Sequence, residues 1–318
     1  MSTAQHKSDT IADAQPTNWV DVYAPDRLKP YCKLARYDRP IGTWLLLLPC
    51  WFGLAMAQLD DSASKINLSY YLLFAIGAIA MRGAGCTWND IVDREYDARV
   101  ERTERRPIPA GQVSVRQALL FALLQSFVGL LVLLQFNTFT VWLGISSLAL
   151  VAIYPFAKRF TYWPQFILGM TFNWGVLVGW TASKGSFDEL GSVALAPFLL
   201  YAGAISWTIG YDTIYAHQDK DDDALLGLKS TALRFGPKTP LWLATFYGIT
   251  LCLWSIAIQN VDGGIYSYIA LALIAGHFYW QVTSLNTEDT SNCLNRFKAN
   301  RDIGLALCLG MALDTFIG

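Results

Sequence analysis

Nine apolar segments, each near the length of a membrane-spanning helix, limit most strongly how this chain can fold. A helix needs roughly 20 apolar residues to cross a bilayer. Only 15% of the residues are charged, against about 25% in a soluble domain, and the charges fall in blocks between the apolar segments. The segments cover residues 41–58, 69–88, 116–135, 138–157, 162–182, 195–216, 240–258, 264–284 and 302–318. We therefore predict an all-α integral membrane protein with about nine transmembrane helices; the last segment is the weakest, because it is short and contains Asp314.

Lysine and arginine residues follow a one-sided pattern along these segments. Of the 24 Lys and Arg residues, Lys65 and Lys184 lie in odd-numbered loops and Arg82 lies within the second segment. All others lie in the N-terminal arm or in even-numbered loops. Loops rich in Lys and Arg stay on the cytoplasmic side of a membrane. We expect a cytoplasmic N-terminus in a bacterial inner membrane, with both acidic clusters described below on that side.

The beginning of the chain lacks the features of a targeting segment. Residues 1–26 contain one Lys, no Arg and no apolar run, unlike a secretory signal or an Arg-rich transit peptide. We predict a partly disordered cytoplasmic arm over residues 1–40 and a transmembrane domain over residues 41–318. The six cysteines are scattered without a Cys-x-x-Cys pair, which is typical of apolar packing residues rather than metal ligands.

Two acidic clusters lie at the ends of the second and sixth apolar segments. If the second segment continues as a helix, Asn89, Asp93 and Asp97 share one face at i, i+4 and i+8, and Asp90 borders that face. In the second cluster Asp219 and Asp223 are spaced i, i+4, with Asp212 two turns earlier. Like charges at this spacing repel each other and destabilise a helix. A purely structural role does not explain why the pattern occurs twice.

Oxygen ligands without His or Cys suit Mg²⁺, which is usually held by a few carboxylates together with substrate phosphates. The two clusters could therefore hold Mg²⁺ ions with a diphosphate. The candidate metal ligands are Asn89, Asp90, Asp93, Asp97, Asp212, Asp219 and Asp223, of which Asp93, Asp97, Asp219 and Asp223 are the candidate catalytic residues. The alternative is that both clusters are solvated loop starts at the membrane surface.

Basic residues near the clusters are candidates for substrate binding. Arg82 lies seven residues before Asn89 on the same helical face; it would bind a diphosphate or a carboxylate, or form an ion pair with one of the Asp residues. Lys158 and Arg159 end the fourth segment on the side of the acidic clusters, and they either contact the diphosphate or anchor the helix end. Residues 102–111 form a basic loop that covers the acidic site or is a solvated connector.

These motifs resemble the UbiA superfamily of intramembrane aromatic prenyltransferases. The patterns that carry the resemblance are Asn89-Asp90-x-x-Asp93-x-x-x-Asp97, Tyr154-x-x-x-Lys158 and Asp219-x-x-x-Asp223, together with the segments 36–42, 82–86, 105–111 and 211–216. The resemblance covers about residues 30–318. It implies a nine-helix bundle around a central cavity that opens laterally to lipid. It further implies that Arg82, Tyr154 and Lys158 contact diphosphate or line the pocket, and that Arg159 binds an aromatic carboxylate.

The function implied by the resemblance is Mg²⁺-dependent transfer of a polyprenyl group from a polyprenyl diphosphate to 4-hydroxybenzoate, in ubiquinone biosynthesis. Two alternatives stay open at the level of sequence. The acceptor could be a naphthoate, homogentisate, haem or a chlorophyll precursor. The chain could also be an ion-coupled transporter, although acids near the midplane of several spans would then be expected, and here they lie at segment ends. Neither nucleic-acid binding nor a particular protein partner is indicated.

Overall fold

The computed structural model describes residues 18–60, 67–188 and 191–317. The described residues form helices and contain no strand, as the apolar segments predict. In chain order the helices are α1 (Trp19–Tyr23), α2 (Lys29–Leu34), α3 (Ile41–Asp60), α4 (Leu68–Asp97), α5 (Val115–Leu133), α6 (Thr138–Ile153), α7 (Ala157–Phe160), α8 (Pro164–Lys184), α9 (Ala196–Ala216), α10 (Lys220–Leu225), α11 (Thr231–Phe235), α12 (Thr239–Asn260), α13 (Ile265–Thr283) and α14 (Thr290–Ile317). Most of the predicted N-terminal arm that precedes α1, and Lys65, lie outside the described residues.

Each predicted apolar segment contains one long helix, namely α3, α4, α5, α6, α8, α9, α12, α13 or α14. By length and composition, six helical stretches in the described part of the chain are apolar enough to cross a membrane, and they contain α3, α4, α5, α6, α9 and α12. Helices α8, α13 and α14 are more polar, and their membrane crossing stays a prediction. Helix α14 also begins twelve residues earlier than the predicted segment, at Thr290.

The chain forms two compact units: unit 1 comprises residues 1–42 and 80–127, and unit 2 comprises residues 43–79 and 128–318. In unit 1, Leu34, Ile91, Val113 and Ala118 form a buried core. This core joins α2, the end of α4 and the start of α5. It therefore fixes the acidic end of α4 beside the N-terminal segment and beside the loop that leads to α5.

In unit 2, glycines let α3 and α8 approach each other closely. A Cβ at Gly179 would meet the carbonyl oxygen of Cys50, and one at Gly53 would meet that of Val176. In lipid no hydrophobic effect drives helices together, so their association depends on close van der Waals packing, which small residues at the crossing allow. A Cβ at Gly175 would likewise meet the Sγ and backbone N atoms of Cys50. Helix α9 packs against α8, α12 and α14, and this arrangement supports the segment that carries the second acidic cluster.

A charged pair joins the C-terminal ends of α3 and α8 in unit 2. Lys184, one of the two basic residues predicted on the Lys- and Arg-poor side, pairs with the carboxylate of Asp60. The ammonium group also lies 5.8 Å from the ring centre of Trp180. The positive charge of Lys184, an exception to the one-sided pattern, is thus balanced by Asp60.

Candidate active site

The first acidic cluster lies at the end of one uninterrupted helix. Helix α4 runs for 30 residues and ends at Asp97, so Asn89, Asp93 and Asp97 share a face as predicted. Asp93 is fully buried and Asp97 is 6% exposed. Carboxylates in such low-dielectric surroundings need positive charge close by. This requirement excludes a simply solvated loop start for the first cluster.

Two arginines supply positive charge to this cluster within unit 1. Arg36 donates from Nη2 to Asp90 Oδ1 at 2.6 Å. Arg106 donates from Nη1 to Asp97 Oδ2 at 2.7 Å, and the same nitrogen lies 3.3 Å from Asp90 Oδ1. Asp90 therefore lies between two guanidinium groups, and Arg106 is shared by two carboxylates.

Arg36 was not among the predicted site residues. Its backbone has φ 60°, a left-handed conformation that is rare for a residue other than glycine. Its Nη1 also donates to the carbonyl of Lys33 at 2.9 Å. Burial opposes the charge of Arg36, yet the Asp90 carboxylate more than offsets this, and the pKa of the guanidinium is raised. The sequence contains no local signal for this pair, because its members lie 54 positions apart.

The basic loop after α4 folds back onto the acidic helix end instead of extending into solvent. The hydroxyl of Thr103 donates to the carbonyl of Asp97 at 2.9 Å. Arg106 then places its guanidinium on the carboxylate of the same aspartate. Of the two predicted alternatives for residues 102–111, a cover over the first acidic cluster is the one that agrees with these contacts.

Arg82 lies two turns before Asn89 on the face of α4 that carries the acidic stripe. Its guanidinium lies against Gly42, where a Cβ would collide with the Nη2, Nε and Cζ atoms. A side chain at position 42 would therefore have to displace the Arg82 guanidinium. The sequence contained Gly42 in a motif segment, but the spacing alone did not reveal this contact.

The second acidic cluster differs from the predicted stripe. Helix α9 ends at Ala216, a single 3₁₀ turn covers His217–Asp219, and α10 begins at Lys220. Asp212 therefore belongs to α9, Asp219 precedes α10 and Asp223 lies within α10. Like charges at helical spacing oppose one continuous helix here, and the 3₁₀ turn changes the direction in which Asp219 and Asp223 project.

Within unit 2, the segment that contains Tyr154, Lys158 and Arg159 lies beside the second acidic cluster. The backbone N–H of Leu228 donates to the carbonyl of Asp223 at 2.8 Å, and the next N–H, of Lys229, donates to the carbonyl of Lys158 at 2.8 Å. The second of these hydrogen bonds connects the loop after α10 with α7. The Arg159 guanidinium stacks 5.0 Å from the ring centre of Phe156. The backbone of Lys158 is thereby held next to the loop that follows Asp223.

His217 stands at the start of the 3₁₀ turn and is nearly buried. Its Nε2 lies 3.1 Å from the hydroxyl of Thr239 at the start of α12. Burial, followed by the charge of Lys220, lowers the pKa of His217 to about 4. The imidazole is therefore neutral at physiological pH, and it holds the turn against α12 without adding charge near Asp219.

The donor atoms of both clusters fit a hard divalent cation, because they are carboxylate oxygens and one amide oxygen, without thiolate or imidazole. In the described part of the chain, no group of three or more His, Cys, Asp or Glu side chains lies close enough to hold a metal ion. Two of the predicted ligands, Asp90 and Asp97, are engaged by Arg36 and Arg106. The assignment of metal ligands stays a prediction.

Comparison with known proteins gives a family and several close relatives. The sequence model of the UbiA prenyltransferase family matches residues 46–303. A relative from Arabidopsis thaliana, named mitochondrial 4-hydroxybenzoate polyprenyltransferase, is 43% identical over 97% of this chain and 74% of its own length. A relative of the same name from Drosophila melanogaster is 48% identical over 91% of this chain and 72% of its own length.

Solved structures share the fold. The apo structure of a UbiA homologue from Aeropyrum pernix K1 has a TM-score of 0.68 and 25% identity, and the match covers 86% of this chain and 97% of that one. A UbiA homologue from Archaeoglobus fulgidus, solved with GPP and Mg²⁺, has a TM-score of 0.60 and 18% identity, with 89% and 99% covered. At that identity the second likeness supports the helical fold alone.

The relatives correct one prediction from the sequence. A bacterial inner membrane, with the N-terminus and acidic clusters in the cytoplasm, was expected, but the relatives at 43% and 48% identity are named as mitochondrial proteins. The predicted location is therefore wrong. The physical reason is that a Lys and Arg asymmetry shows which helix ends share a side, but it does not show which membrane they cross.

Proposed function

The chain belongs to the UbiA prenyltransferase family, and from this premise we propose that it is a 4-hydroxybenzoate polyprenyltransferase. It transfers a polyprenyl group from polyprenyl diphosphate to the ring carbon ortho to the hydroxyl of 4-hydroxybenzoate, in ubiquinone biosynthesis. The observation that carries this proposal is the 43–48% identity, over at least nine-tenths of this chain, to relatives that bear that name. An identity this high over the whole catalytic region favours a common reaction and acceptor.

We propose that each acidic cluster binds Mg²⁺, the first through Asn89, Asp93 and Asp97 and the second through Asp219 and Asp223, with Asp212 at the edge of the second cluster. When bound, it neutralises charge that builds up on the leaving diphosphate. The oxygen-only donor set supports this choice. The buried position of Asp93 adds to it, because a carboxylate there gains most from a cation.

The basic side chains of the protein act on the diphosphate and on the acceptor. Arg82 and Lys158 donate charge-assisted hydrogen bonds to diphosphate oxygens, and these bonds strengthen as the allylic C–O bond ionises. Tyr154 orients the diphosphate from the same segment as Lys158. Arg159 binds the carboxylate of the acceptor, because a guanidinium matches a carboxylate in a two-pronged fashion.

Bond formation follows ionisation. Diphosphate leaves with the electron pair of the broken C–O bond, the ring carbon of 4-hydroxybenzoate ortho to the phenol then attacks the allylic cation, and the ring loses one proton to a base. Apolar and aromatic walls exclude water, which would otherwise capture the cation, and aromatic ring faces stabilise positive charge.

The test uses the full-length protein in detergent or lipid with a prenyl diphosphate and 4-hydroxybenzoate. Asp93→Asn and Asp219→Asn are expected to lower kcat by about a hundredfold or more, because each removes charge stabilisation of the leaving group. Asp221→Asn is the matched control, since Asp221 is an exposed acid in the same segment as Asp219. All variants are expected to reach the membrane fraction. Wild-type turnover in either the Asp93 or the Asp219 variant contradicts the proposed site.

A panel of acceptors tests the choice of substrate separately. Purified protein is given a prenyl diphosphate with 4-hydroxybenzoate, a dihydroxynaphthoate or homogentisate, and prenylated products are measured by mass spectrometry. Product is expected with 4-hydroxybenzoate. Activity with another acceptor and none with 4-hydroxybenzoate contradicts the proposed acceptor but leaves prenyl transfer intact.

The names of the relatives also lead us to propose a mitochondrial membrane as the location of this chain. Fractionation of cells that contain the tagged protein tests this proposal. The protein is expected to sediment with mitochondrial membranes and to resist extraction with alkaline carbonate, as a protein with several apolar helices should.

A further inference from the structure

Arg106 is shared between two carboxylates, Asp90 and Asp97, that lie two turns apart on α4. Its Nη1 lies 2.7 Å from Asp97 Oδ2 and 3.3 Å from Asp90 Oδ1. Asp90 is fully buried, and its second oxygen, Oδ2, has no hydrogen-bond partner among the residues that the structure describes. A buried carboxylate oxygen without a partner is costly. It is therefore an acceptor that can take a further donor.

A divalent cation on Asp97 would repel the Arg106 guanidinium, whose Nη1 lies 2.7 Å from Asp97 Oδ2. The guanidinium always carries its charge, so it cannot leave the site by losing a proton. It has to move. The hydrogen bond from Thr103 to the backbone of Asp97 keeps the loop next to α4, and the alternative partner of Arg106, Asp90, is already within 3.3 Å.

We propose that Arg106 is the counter-ion of Asp97 in the metal-free protein and that Asp90 is the acceptor to which Arg106 shifts when a divalent cation binds Asp97. Asp90 is then a positioning residue for Arg106 and not itself a ligand of the metal. This inference rests on the proposed metal role of Asp97.

The other contacts of Asp90 agree with this division of roles. Arg36 holds Oδ1 at 2.6 Å from a segment that is fixed by its own bond to Lys33. A carboxylate with one permanent arginine and one free oxygen can exchange a second arginine without becoming an unpaired charge. Asp97, in contrast, is paired with Arg106, a partner from a loop, which can move with that loop.

The first experiment measures binding of Mn²⁺, which is detectable by electron paramagnetic resonance, to the full-length protein in lipid nanodiscs without prenyl diphosphate. Arg106→Gln is expected to tighten Mn²⁺ binding by about tenfold, because one competing charge-assisted hydrogen bond is lost. Arg105→Gln is the matched control: Arg105 is the preceding residue in the loop and lies 3.9 Å from exposed Glu104. The Arg105→Gln variant is expected to bind Mn²⁺ with the affinity of the wild type. Unchanged or weaker binding by the Arg106 variant overturns the inference.

A double-mutant cycle separates the two possible roles of Asp90. Asp90→Asn is expected to weaken Mn²⁺ binding in the wild-type background, because Arg106 then competes at Asp97 without an alternative partner. The same change is expected to have no effect in the Arg106→Gln background. An equal loss in both backgrounds means that Asp90 binds the metal directly, which overturns the inference.

Folding and the metal role are controlled separately. If Asp90→Asn alone fails to fold, because Arg36 is left buried without its partner, the cycle is run with Arg36→Gln combined with Asp90→Asn in both backgrounds. Wild-type protein that binds no Mn²⁺ contradicts the proposed metal role of Asp97 and, with it, the inference. Wild-type binding that Arg106→Gln leaves unchanged contradicts the inference alone, and the proposed function stands.

Discussion

Arg36 and Asp90, which lie 54 positions apart, are joined by a hydrogen bond of 2.6 Å between buried charges. Arg36 adopts φ 60° to make it. A backbone conformation of this kind costs on the order of 1 kcal/mol in a residue other than glycine, so the surrounding contacts must hold it in place. The pair connects the N-terminal segment to the acidic end of α4 and fixes where the first cluster begins.

Replacement of Arg36 should therefore destabilise the protein strongly. Arg36→Gln leaves Asp90 buried with one fewer cation, and we expect a loss of about 3 kcal/mol in the free energy of unfolding. Arg94→Gln is the control, because Arg94 pairs with Glu95 at the exposed surface, where a pair contributes about 1 kcal/mol or less. Unfolding in detergent with increasing denaturant measures both. Equal stability of the two variants would contradict a structural role for the buried pair.

Gly42→Ala should reduce activity with little effect on the fold. The added methyl group displaces the Arg82 guanidinium, and a shift of about 1 Å in such a group costs up to a hundredfold in kcat/KM. Gly248→Ala is the matched control: its Cβ would meet no atom within 4 Å, and it lies within exposed α12 surface. Prenyl-transfer rates and melting temperatures of both variants are compared with the wild type. Full activity of Gly42→Ala would show that Arg82 does not act where it lies.

Asp314 should stabilise the start of α13 from the end of the chain. Its carboxylate accepts hydrogen bonds from the backbone N–H groups of Tyr266, at 3.0 Å, and Ser267, at 2.8 Å. Residue Gly264 at the cap of α13 has no side chain that could do this. Asp314→Ala is expected to lower the free energy of unfolding by about 1–2 kcal/mol. Asp302→Ala, an acid of the same helix at its exposed surface, is expected to change the free energy of unfolding by less than about 0.5 kcal/mol.

Asp38→Asn should raise stability at neutral pH. Burial raises the pKa of Asp38, although the charges of Arg39, Arg36 and Lys33 act in the opposite direction. The folded state therefore binds the proton more tightly than the unfolded state. The contribution of Asp38 to stability is present below its unfolded pKa and is lost as the pH rises through the folded pKa.

Melting temperatures of the wild type and Asp38→Asn are compared at pH 4 and pH 7.5. The variant is expected to be more stable at pH 7.5, and the difference in melting temperature is expected to narrow at pH 4, because the raised pKa favours the protonated wild-type carboxyl as the pH falls. Asp26→Asn is the control of opposite sign, since a hydrogen bond from Lys29 lowers the pKa of exposed Asp26. A variant of Asp38 that is less stable than the wild type at pH 7.5 would show that the ionised carboxylate is required.

Much of the fold could be predicted from the sequence because apolar length and helical period are local properties. The nine predicted segments each contain a helix, and the continuity of α4 places Asn89, Asp93 and Asp97 on one face. The second cluster was harder to predict. The spacing of Asp219 and Asp223 predicts repulsion on one helical face but not a break in the helix, and the 3₁₀ turn at His217–Asp219 includes the contact of His217 with Thr239, 22 positions away.

By itself, the sequence determined the order of the helices, and it predicts the side on which the basic loops gather and the residues that could hold a metal, because each follows from neighbours a few positions apart. Only the tertiary structure decided which cations neutralise the acids. Arg36, Arg106 and Asp90 come from three separate stretches of chain, and no periodicity relates them. A buried carboxylate such as Asp90 is strongly destabilising unless a cation pairs with it. Which arginine pairs with it depends on how the N-terminal segment and the basic loop pack against α4.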